Sequence, residues 1–313
     1  MISQQLLDGL FSASAYASVS AGGDGLRDFL KAHGSNMRST PSAFERLVAV
    51  AVQADDRVKA AAAGHQAAIR RLFPDTPDTA IAAFCVSEDE GPKPSKIFTT
   101  LSRVDEGNNN GCIVNGRKRW GSMSPIADIL YVAASTGFKD GRNQLRMVAV
   151  PADHSGVSID TSAYGAYQGH MPIADLHFDQ VQLSSRAIIA EDAYETFIKP
   201  FRLVEDVYNT AGTQIGLFRL GRLYDWDAEI LEDLLGLICQ AHLIAQTDMN
   251  MPHDVLLMSS YFRASSRLWE QIGDNWSRVP EALRTRWSPD VGTLGVAARA
   301  REARRQNAWV ALA

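Results

Sequence analysis

The stretch Gly111-Cys-Ile-Val-Asn-Gly-Arg-Lys-Arg-Trp-Gly-Ser122 decides the fold, because it sets an Asn-Gly pair between two alternating apolar and polar runs. Asn-Gly in that setting is typical of a tight β-hairpin, so we predict a turn at Asn115–Gly116. On the strand leaving this turn, Trp120 and Ser122 are two positions apart and are predicted to share one face. An aromatic plane beside a hydroxyl can cover a flat, hydrogen-bonding heterocycle. An ordinary amphipathic hairpin with a half-buried tryptophan gives the same pattern.

The residue pattern changes twice along the chain. Residues 1–81 show apolar residues at helical spacing, and Ser42 with Glu45 three positions later predicts a helix start. Residues 82–191 consist of short β-branched and aromatic runs separated by glycine, asparagine and proline, which favours an antiparallel β-barrel or sandwich. Residues 192–313 are helical again. We therefore predict an α+β fold with N-terminal helices, a middle β-domain and a C-terminal helical bundle.

Composition excludes several classes of function. The 313 residues are 46% hydrophobic and 21% charged with a net charge of −5, which argues against a nucleic-acid partner. The three cysteines and seven histidines lack metal-ligand spacing, so we expect no metal site. No apolar run is long enough to span a bilayer, and the N-terminus lacks a basic region before its apolar residues. We expect a cytoplasmic protein without a membrane partner.

Three further segments accompany the opening stretch. These are Ala83-Phe-Cys-Val-Ser-Glu88, Met147-Val-Ala-Val-Pro151 and Ala174-Asp-Leu-His-Phe-Asp-Gln-Val181. Together, and in this order, the four segments resemble the middle domain of the acyl-CoA dehydrogenase family, whose hairpin strand reads NGxKxW-x-(S/T). The resemblance identifies the chain as a shortened, divergent member of that family, with helices before and after the β-domain.

The resemblance implies FAD as the cofactor. By position, Phe84, Val86 and Ser87 would line one side of the flavin ring system, and Trp120 would cover it. Ser122 would donate a hydrogen bond to the flavin nitrogen that receives the hydride. The alternative is that these are ordinary strand residues that serve packing.

The resemblance also implies an acyl thioester substrate and a carboxylate that removes its α-proton. The helix containing Phe201–Gly216 resembles the family helix that ends in A-G-x-x-G, and this places Asp206 at the position of a helix-borne base, with Glu205 beside it. A solvated acidic pair near a helix N-terminus is the alternative. Ser95, in the loop that replaces the family's G-S-D segment, is the predicted substrate contact.

Two features leave the function open. The family's Y-E-G-T, R-x-x-F-G and G-G-x-G segments have no counterpart in this sequence. The basic run Arg299, Arg301, Arg304 and Arg305 is interpreted as a solvated helix face, with a CoA or FAD phosphate contact as the alternative.

The predicted function is α,β-dehydrogenation of an acyl thioester with FAD as hydride acceptor. The partner is expected to be a second copy, or a full-length paralogous acyl-CoA dehydrogenase in a heterotetramer. The alternatives are a non-catalytic structural subunit and a flavin monooxygenase on the same fold.

Overall fold

The computed structural model describes residues 4–12, 25–34, 42–106, 109–164, 171–287 and 298–313. The chain forms two compact units: a helical unit of residues 1–71 with 202–313, and a sheet unit of residues 72–201. The predicted α+β class is confirmed by this division into helices and one sheet. The predicted three-domain boundaries remain predictions.

Nine α-helices lie in the described residues: α1 Gln4–Phe11, α2 Leu26–Gly34, α3 Ala43–Ala51, α4 Arg57–Leu72, α5 Lys199–Leu223, α6 Ala228–Ala245, α7 Pro252–Gln271, α8 Glu281–Trp287 and α9 Ala298–Leu312. Their positions confirm the helical prediction for the two outer parts of the chain. Across the described residues, every helix is too short or too polar to cross a membrane.

The start of α3 follows directly from its sequence. The Ser42 hydroxyl oxygen accepts a hydrogen bond from the Glu45 backbone N–H at 3.2 Å, and the hydroxyl donates to the Glu45 carboxylate at 2.8 Å. This satisfies one of the backbone donors that a helix start leaves without a partner inside the helix. The apolar residues Leu47 and Val50 of α3 are buried.

Glycines bring α4 and α5 into backbone contact. A Cβ atom on Gly64 would lie 2.4 Å from the Tyr208 carbonyl oxygen, and one on Gly212 would lie 2.3 Å from the Ala60 carbonyl oxygen. Neither distance leaves room for a side chain, so the absence of Cβ lets the two helices approach closely. This approach fixes which residues of α4 face the acidic pair on α5.

The sheet unit holds eight strands: β1 Ala82–Cys85, β2 Thr100–Glu106, β3 Asn109–Ser122, β4 Ile129–Lys139, β5 Arg142–Pro151, β6 Val157–Asp160, β7 Ile173–Ser184 and β8 Ile188–Ala190. Seven of them follow the order β6-β7-β3-β2-β4-β5-β8, and β1 joins through β4. The fourteen-residue β3 pairs antiparallel with both β2 and β7, so it lies inside the sheet.

The sheet is mainly antiparallel, as predicted, but two of its strand pairings are parallel. Strand β1 runs parallel to β4, pairing Ala82 with Ile129, and β2 meets β4 in parallel at Thr100 and Ser135. Strands β1 and β2 therefore follow one another along the same edge of β4. This arrangement brings the segment that follows β1 beside β3.

The predicted hairpin turn at Asn115–Gly116 is wrong, because both residues lie within the continuous strand β3. Gly116 has φ +144° at a register shift against β7, and a Cβ there would lie 2.6 Å from the Cα of Thr99. Glycine is needed for a bulge and a close backbone contact. The antiparallel pairing of β2 and β3 instead extends to Glu106 and Asn109, and residues 107–108 lie outside the described part of the chain.

Candidate functional site

The segment after β1 is held against β3 by three contacts. The Lys118 Nζ donates to the Val86 carbonyl oxygen at 3.1 Å and to the Glu88 carboxylate at 2.7 Å. The Arg119 backbone N–H donates to the Ser87 carbonyl oxygen at 2.8 Å. The structure therefore brings together two of the predicted cofactor-binding segments, the one at Ser87 and the one at Trp120.

The ion pair between Lys118 and Glu88 is buried, with exposed fractions of 0% and 8%. The Glu88 carboxylate also accepts the backbone N–H groups of Phe98 at 2.8 Å and Thr99 at 3.0 Å. Burial tends to raise the pKa of Glu88, but the Lys118 ammonium and these donors outweigh it, so the pKa is lowered from its usual value. Burial lowers the pKa of Lys118 to about 8, with Glu88 opposing that change. Carboxylate and ammonium thus form a satisfied structural pair.

Trp120 is exposed, with 46% of its surface accessible. It lies in a bulge, because β3 and β7 lose register between Lys118 and Gly121, and its φ of +55° is left-handed. The strand alternation that predicted a common face for Trp120 and Ser122 is interrupted here. A non-glycine residue in this backbone region is strained, and such residues often mark functional sites.

A cluster of polar side chains holds Trp120 in this conformation. The Arg119 guanidinium lies 5.1 Å from the centre of the indole ring, a cation–π contact. The Trp120 backbone N–H faces the Tyr164 hydroxyl at 3.3 Å and the Asp175 carboxylate at 3.4 Å. Asp175 also accepts the Tyr164 hydroxyl and pairs with Arg119 at 2.9 Å. These contacts hold the backbone of Trp120 in place while its indole ring remains exposed.

Arg119, Tyr164 and Asp175 were not among the site residues predicted from the sequence. Arg119 and Asp175 lie inside segments that carried the family resemblance, but nothing local marks either as a partner of Trp120. Arg119 also pairs with Asp89 at 2.9 Å, so its guanidinium joins the segment after β1 to β7. The pairing connects residues up to 86 positions apart, 89 and 175, which only the folded sheet reveals.

The remaining predicted cofactor residues are placed differently from one another. Phe84 packs in an aromatic cluster, 4.1 Å from the ring centre of Phe201 and 5.9 Å from that of Phe73. Val86 is buried at 6% exposure, whereas Ser122 is half-buried. The half-buried Ser87 lies beside Arg119, as described above.

Ser95, the predicted substrate contact, is exposed in a 3-10 turn from Pro94 to Lys96. The Asn143 side-chain amide fixes this turn by donating to the carbonyl oxygens of Pro94 at 3.0 Å and Ile97 at 2.8 Å. Within the described residues, no hydrogen bond or ion pair links Ser95 to Trp120. The loop is anchored, and Ser95 remains accessible on it.

Both candidate bases lie on α5 in the helical unit. The Glu205 carboxylate is 2.9 Å from Nδ1 of His65, a histidine that α4 buries to 2% exposure. The Asp206 carboxylate is 3.3 Å from Nε of Arg301 and 3.7 Å from Nε of Arg202. Each carboxylate therefore has a cationic or imidazole partner in this structure.

Three side chains of the sheet unit have the chemistry that a flat, polar ring system requires. Trp120 offers a wide accessible ring on a fixed backbone, and Ser87 and Ser122 are half-buried hydroxyls. Within the described part of the chain, no hydrogen bond engages either hydroxyl, so both remain able to bind a polar ring edge. The described residues contain no cluster of histidine, cysteine, aspartate or glutamate that could hold a metal ion.

Part of the sheet unit resembles known proteins in sequence. Residues 83–181 match the family model of the acyl-CoA dehydrogenase middle domain. A curated relative, benzylmalonyl-CoA dehydrogenase of Aromatoleum aromaticum, is 29% identical over 118 residues, which are 37% of this chain and 29% of the relative. The match therefore spans well under two thirds of that relative's length.

Solved structures share the fold across the chain. Butyryl-CoA dehydrogenase from Megasphaera elsdenii is 11% identical with a TM-score of 0.63, and the alignment covers 99% of both chains. A glutaryl-CoA dehydrogenase from Mycobacterium smegmatis in complex with FADH2 is 14% identical with a TM-score of 0.57, covering 97% of this chain and 89% of that one. At these identities the likeness shows the fold alone.

Proposed function

We propose that this chain, whose residues 83–181 match the acyl-CoA dehydrogenase middle domain, binds FAD against the Trp120 region of β3 and takes part in α,β-dehydrogenation of an acyl thioester. The observation that carries the proposal is the exposed indole of Trp120. A large aromatic side chain at 46% exposure, on a strained backbone held by Arg119 and Asp175, is costly unless it binds something.

The residues of the sheet unit would have distinct roles toward the cofactor. Trp120 covers the ring system, and the Ser122 and Ser87 hydroxyls donate hydrogen bonds to its polar edge. Phe84 and Val86 support this surface from their packed positions. When bound, FAD supplies the hydride acceptor, while these residues bind and orient it.

Removal of the substrate α-proton is assigned to Glu205 or Asp206. Glu205 has His65 as a hydrogen-bonding partner at 2.9 Å, which orients its carboxylate. Asp206 is held by Arg301 and is 11% exposed. A working base must reach the proton at hydrogen-bond distance when substrate is bound, so one of these contacts has to open or rearrange.

The cofactor proposal is tested by titrating the full chain with FAD and recording its absorption and fluorescence. We expect the wild type to quench flavin fluorescence and Trp120→Ala to bind about tenfold more weakly, because it loses an aromatic contact. Trp309→Ala is the matched control, since Trp309 is 57% exposed on α9 of the other unit. Equal binding by wild type and Trp120→Ala would refute the proposed site.

The base is tested by exchanging each carboxylate for its amide. Glu205→Gln and Asp206→Asn keep size and remove one charge each, and flavin bleaching by an acyl-CoA substrate reports turnover. Loss of bleaching in one variant, with FAD binding retained, identifies the base. Full bleaching in both variants would exclude both residues.

A second function is favoured by the pairing of both carboxylates. A non-catalytic subunit would keep the fold and use Glu205 and Asp206 only as ion-pair partners. It would associate with a full-length paralogue in the cytoplasm. Co-expression followed by purification tests this, since a yellow complex that stays active when both amides are introduced into this chain supports the structural role. A colourless chain that never associates with a paralogue contradicts it.

A further inference from the structure

A group of three arginines surrounds a single carboxylate in the helical unit. Arg202 and Asp206 lie one turn apart on α5, and Arg301 and Arg304 lie one turn apart on α9. We call these four residues the arginine cluster. Its formal charges sum to +2, because three guanidinium groups share one carboxylate. The side chain of the nearby Arg299 lies outside the described residues.

Among the residues that the structure describes, the contacts within the arginine cluster leave most guanidinium donors without a protein acceptor. Arg301 Nε donates to the Asp206 carboxylate at 3.3 Å, whereas Arg202 Nε, at 3.7 Å, is too far for a hydrogen bond. The guanidinium carbon of Arg301 also lies 4.1 Å from the centre of the Phe262 ring, a cation–π contact. Each guanidinium group has five N–H donors, so one carboxylate cannot accept hydrogen bonds from all the donors of three guanidinium groups.

Arg304 makes this imbalance most evident. Its side chain is half-buried, yet it forms no hydrogen bond or ion pair with another described residue. Burial lowers the pKa of Arg304, Asp206 opposes that shift, and the neighbouring Arg202 and Arg301 add to it. A fully solvated helix face, as predicted from the sequence, would not bury an arginine among like charges.

We propose that Arg202, Arg301 and Arg304 form a binding site for a phosphate-type dianion. Two negative charges neutralise the excess of the arginine cluster, and tetrahedral phosphate oxygens match the planar forks of several guanidinium groups. The site requires no flavin, because all of its residues belong to the helical unit. A nucleotide cofactor and a thioester carrier such as CoA both carry this chemical group.

The assignment changes the role of Asp206. Within the arginine cluster its carboxylate spaces the guanidinium groups and competes with the incoming anion. Asp206→Asn should therefore bind phosphate more tightly than the wild type. A base that only happens to contact Arg301 gives no such gain.

The test is calorimetric titration of the full chain with inorganic phosphate at constant ionic strength set by chloride. We expect saturable binding, weakened about tenfold or more in Arg304→Ala, because each charge-assisted contact contributes strongly. Arg305→Ala is the matched control: it removes the same charge one residue away, but Arg305 already pairs with Glu302 at 2.6 Å. Arg304→Lys keeps the charge without the fork, and we expect an intermediate affinity.

Competition then identifies the source of the phosphate group. Displacement of inorganic phosphate by CoA assigns the site to a thioester carrier, and displacement by FAD assigns it to the cofactor. Either result supports the site. The proposal is overturned if phosphate binds no better than chloride, or if Arg305→Ala weakens binding as much as Arg304→Ala. Failure of FAD to bind at Trp120 would leave this test unchanged.

Discussion

The sheet unit and the helical unit each contain a carboxylate that pairs with basic side chains, and the two groups differ in charge balance and burial. Glu88 has one ammonium and two backbone donors, and its pair with Lys118 is closed off from water. Asp206 faces three guanidinium groups, of which Arg202 is 47% exposed and Arg301 32% exposed. A balanced, buried pair fixes a fold, whereas an unbalanced, open cluster leaves charge for a ligand.

The largest effect is expected at the closed pair. Glu88→Gln leaves the Lys118 ammonium buried without its counter-ion, and we expect it to lower the free energy of unfolding by about 3–5 kcal/mol. Urea denaturation measures this, with Glu90→Gln as the control. The Glu90–Lys96 pair is exposed, so its loss should cost about 0–1 kcal/mol. Similar losses for the two variants would remove the distinction between closed and open pairs.

The next effect concerns the strand that carries Lys118. Gly116→Ala places a Cβ 2.6 Å from the Thr99 Cα, and Thr99 supplies one of the N–H donors to Glu88. We expect a loss of about 1–3 kcal/mol from strain at positive φ together with the clash. Gly137→Ala separates the two causes, because Gly137 also has a positive φ, +116°, but nothing lies within 4 Å of its added Cβ. If both variants cost the same, the close contact with Thr99 is unimportant.

A smaller effect is the pH dependence of the closed pair. The pKa of Glu88 is lowered in the folded chain, so the unfolded chain binds the proton more readily. The contribution of Glu88 is therefore complete above the unfolded pKa, near 4.5, and is lost as the pH falls through the folded value. One proton gives a slope of at most about 1.4 kcal/mol per pH unit. Urea denaturation between neutral and acid pH should show a shallower acid loss in Glu88→Gln, once the constant offset is removed. An unchanged slope would mean that Glu88 does not titrate differently on folding.

The smallest effect is expected in the open cluster. Without an anion, Arg304→Ala removes repulsion from Arg202 and Arg301, and it should change the free energy of unfolding by less than about 0.5 kcal/mol. With saturating phosphate, the wild type should gain more stability than Arg304→Ala, because a ligand that binds the folded state alone stabilises it in proportion to its affinity. Thermal unfolding of the wild type and Arg304→Ala, with and without phosphate, measures both the effect of the substitution and the stabilisation by phosphate. A large loss of stability in Arg304→Ala without phosphate would mean that the arginine cluster stabilises the fold and does not serve ligand binding.

The helices were predictable because their signals are local. Ser42 and Glu45 are three residues apart, and their reciprocal hydrogen bonds need nothing else from the chain. The Asn115–Gly116 turn failed because the same dipeptide also serves a bulge, and the deciding neighbour, Thr99, lies 16 to 17 residues earlier. Local chemistry did not distinguish the two uses of glycine.

The candidate site divides along the same line. Trp120 was recognisable from its segment, and its exposure agrees with a covering role. Its supports, Tyr164 and Asp175, come from other parts of the sheet. Likewise, the pairing of Asp206 with Arg301 joins residues 95 positions apart, which no local pattern signals.

The left-handed backbone at Trp120 allows the conformational strain in this part of the sheet to be measured. Alanine there removes the indole but keeps the unfavourable φ of +55°, whereas glycine adopts that angle without penalty. The difference in the free energy of unfolding between these two variants therefore reports the backbone strain at position 120. A higher melting temperature for Trp120→Gly than for the wild type would show that the exposed indole is kept at a cost in stability.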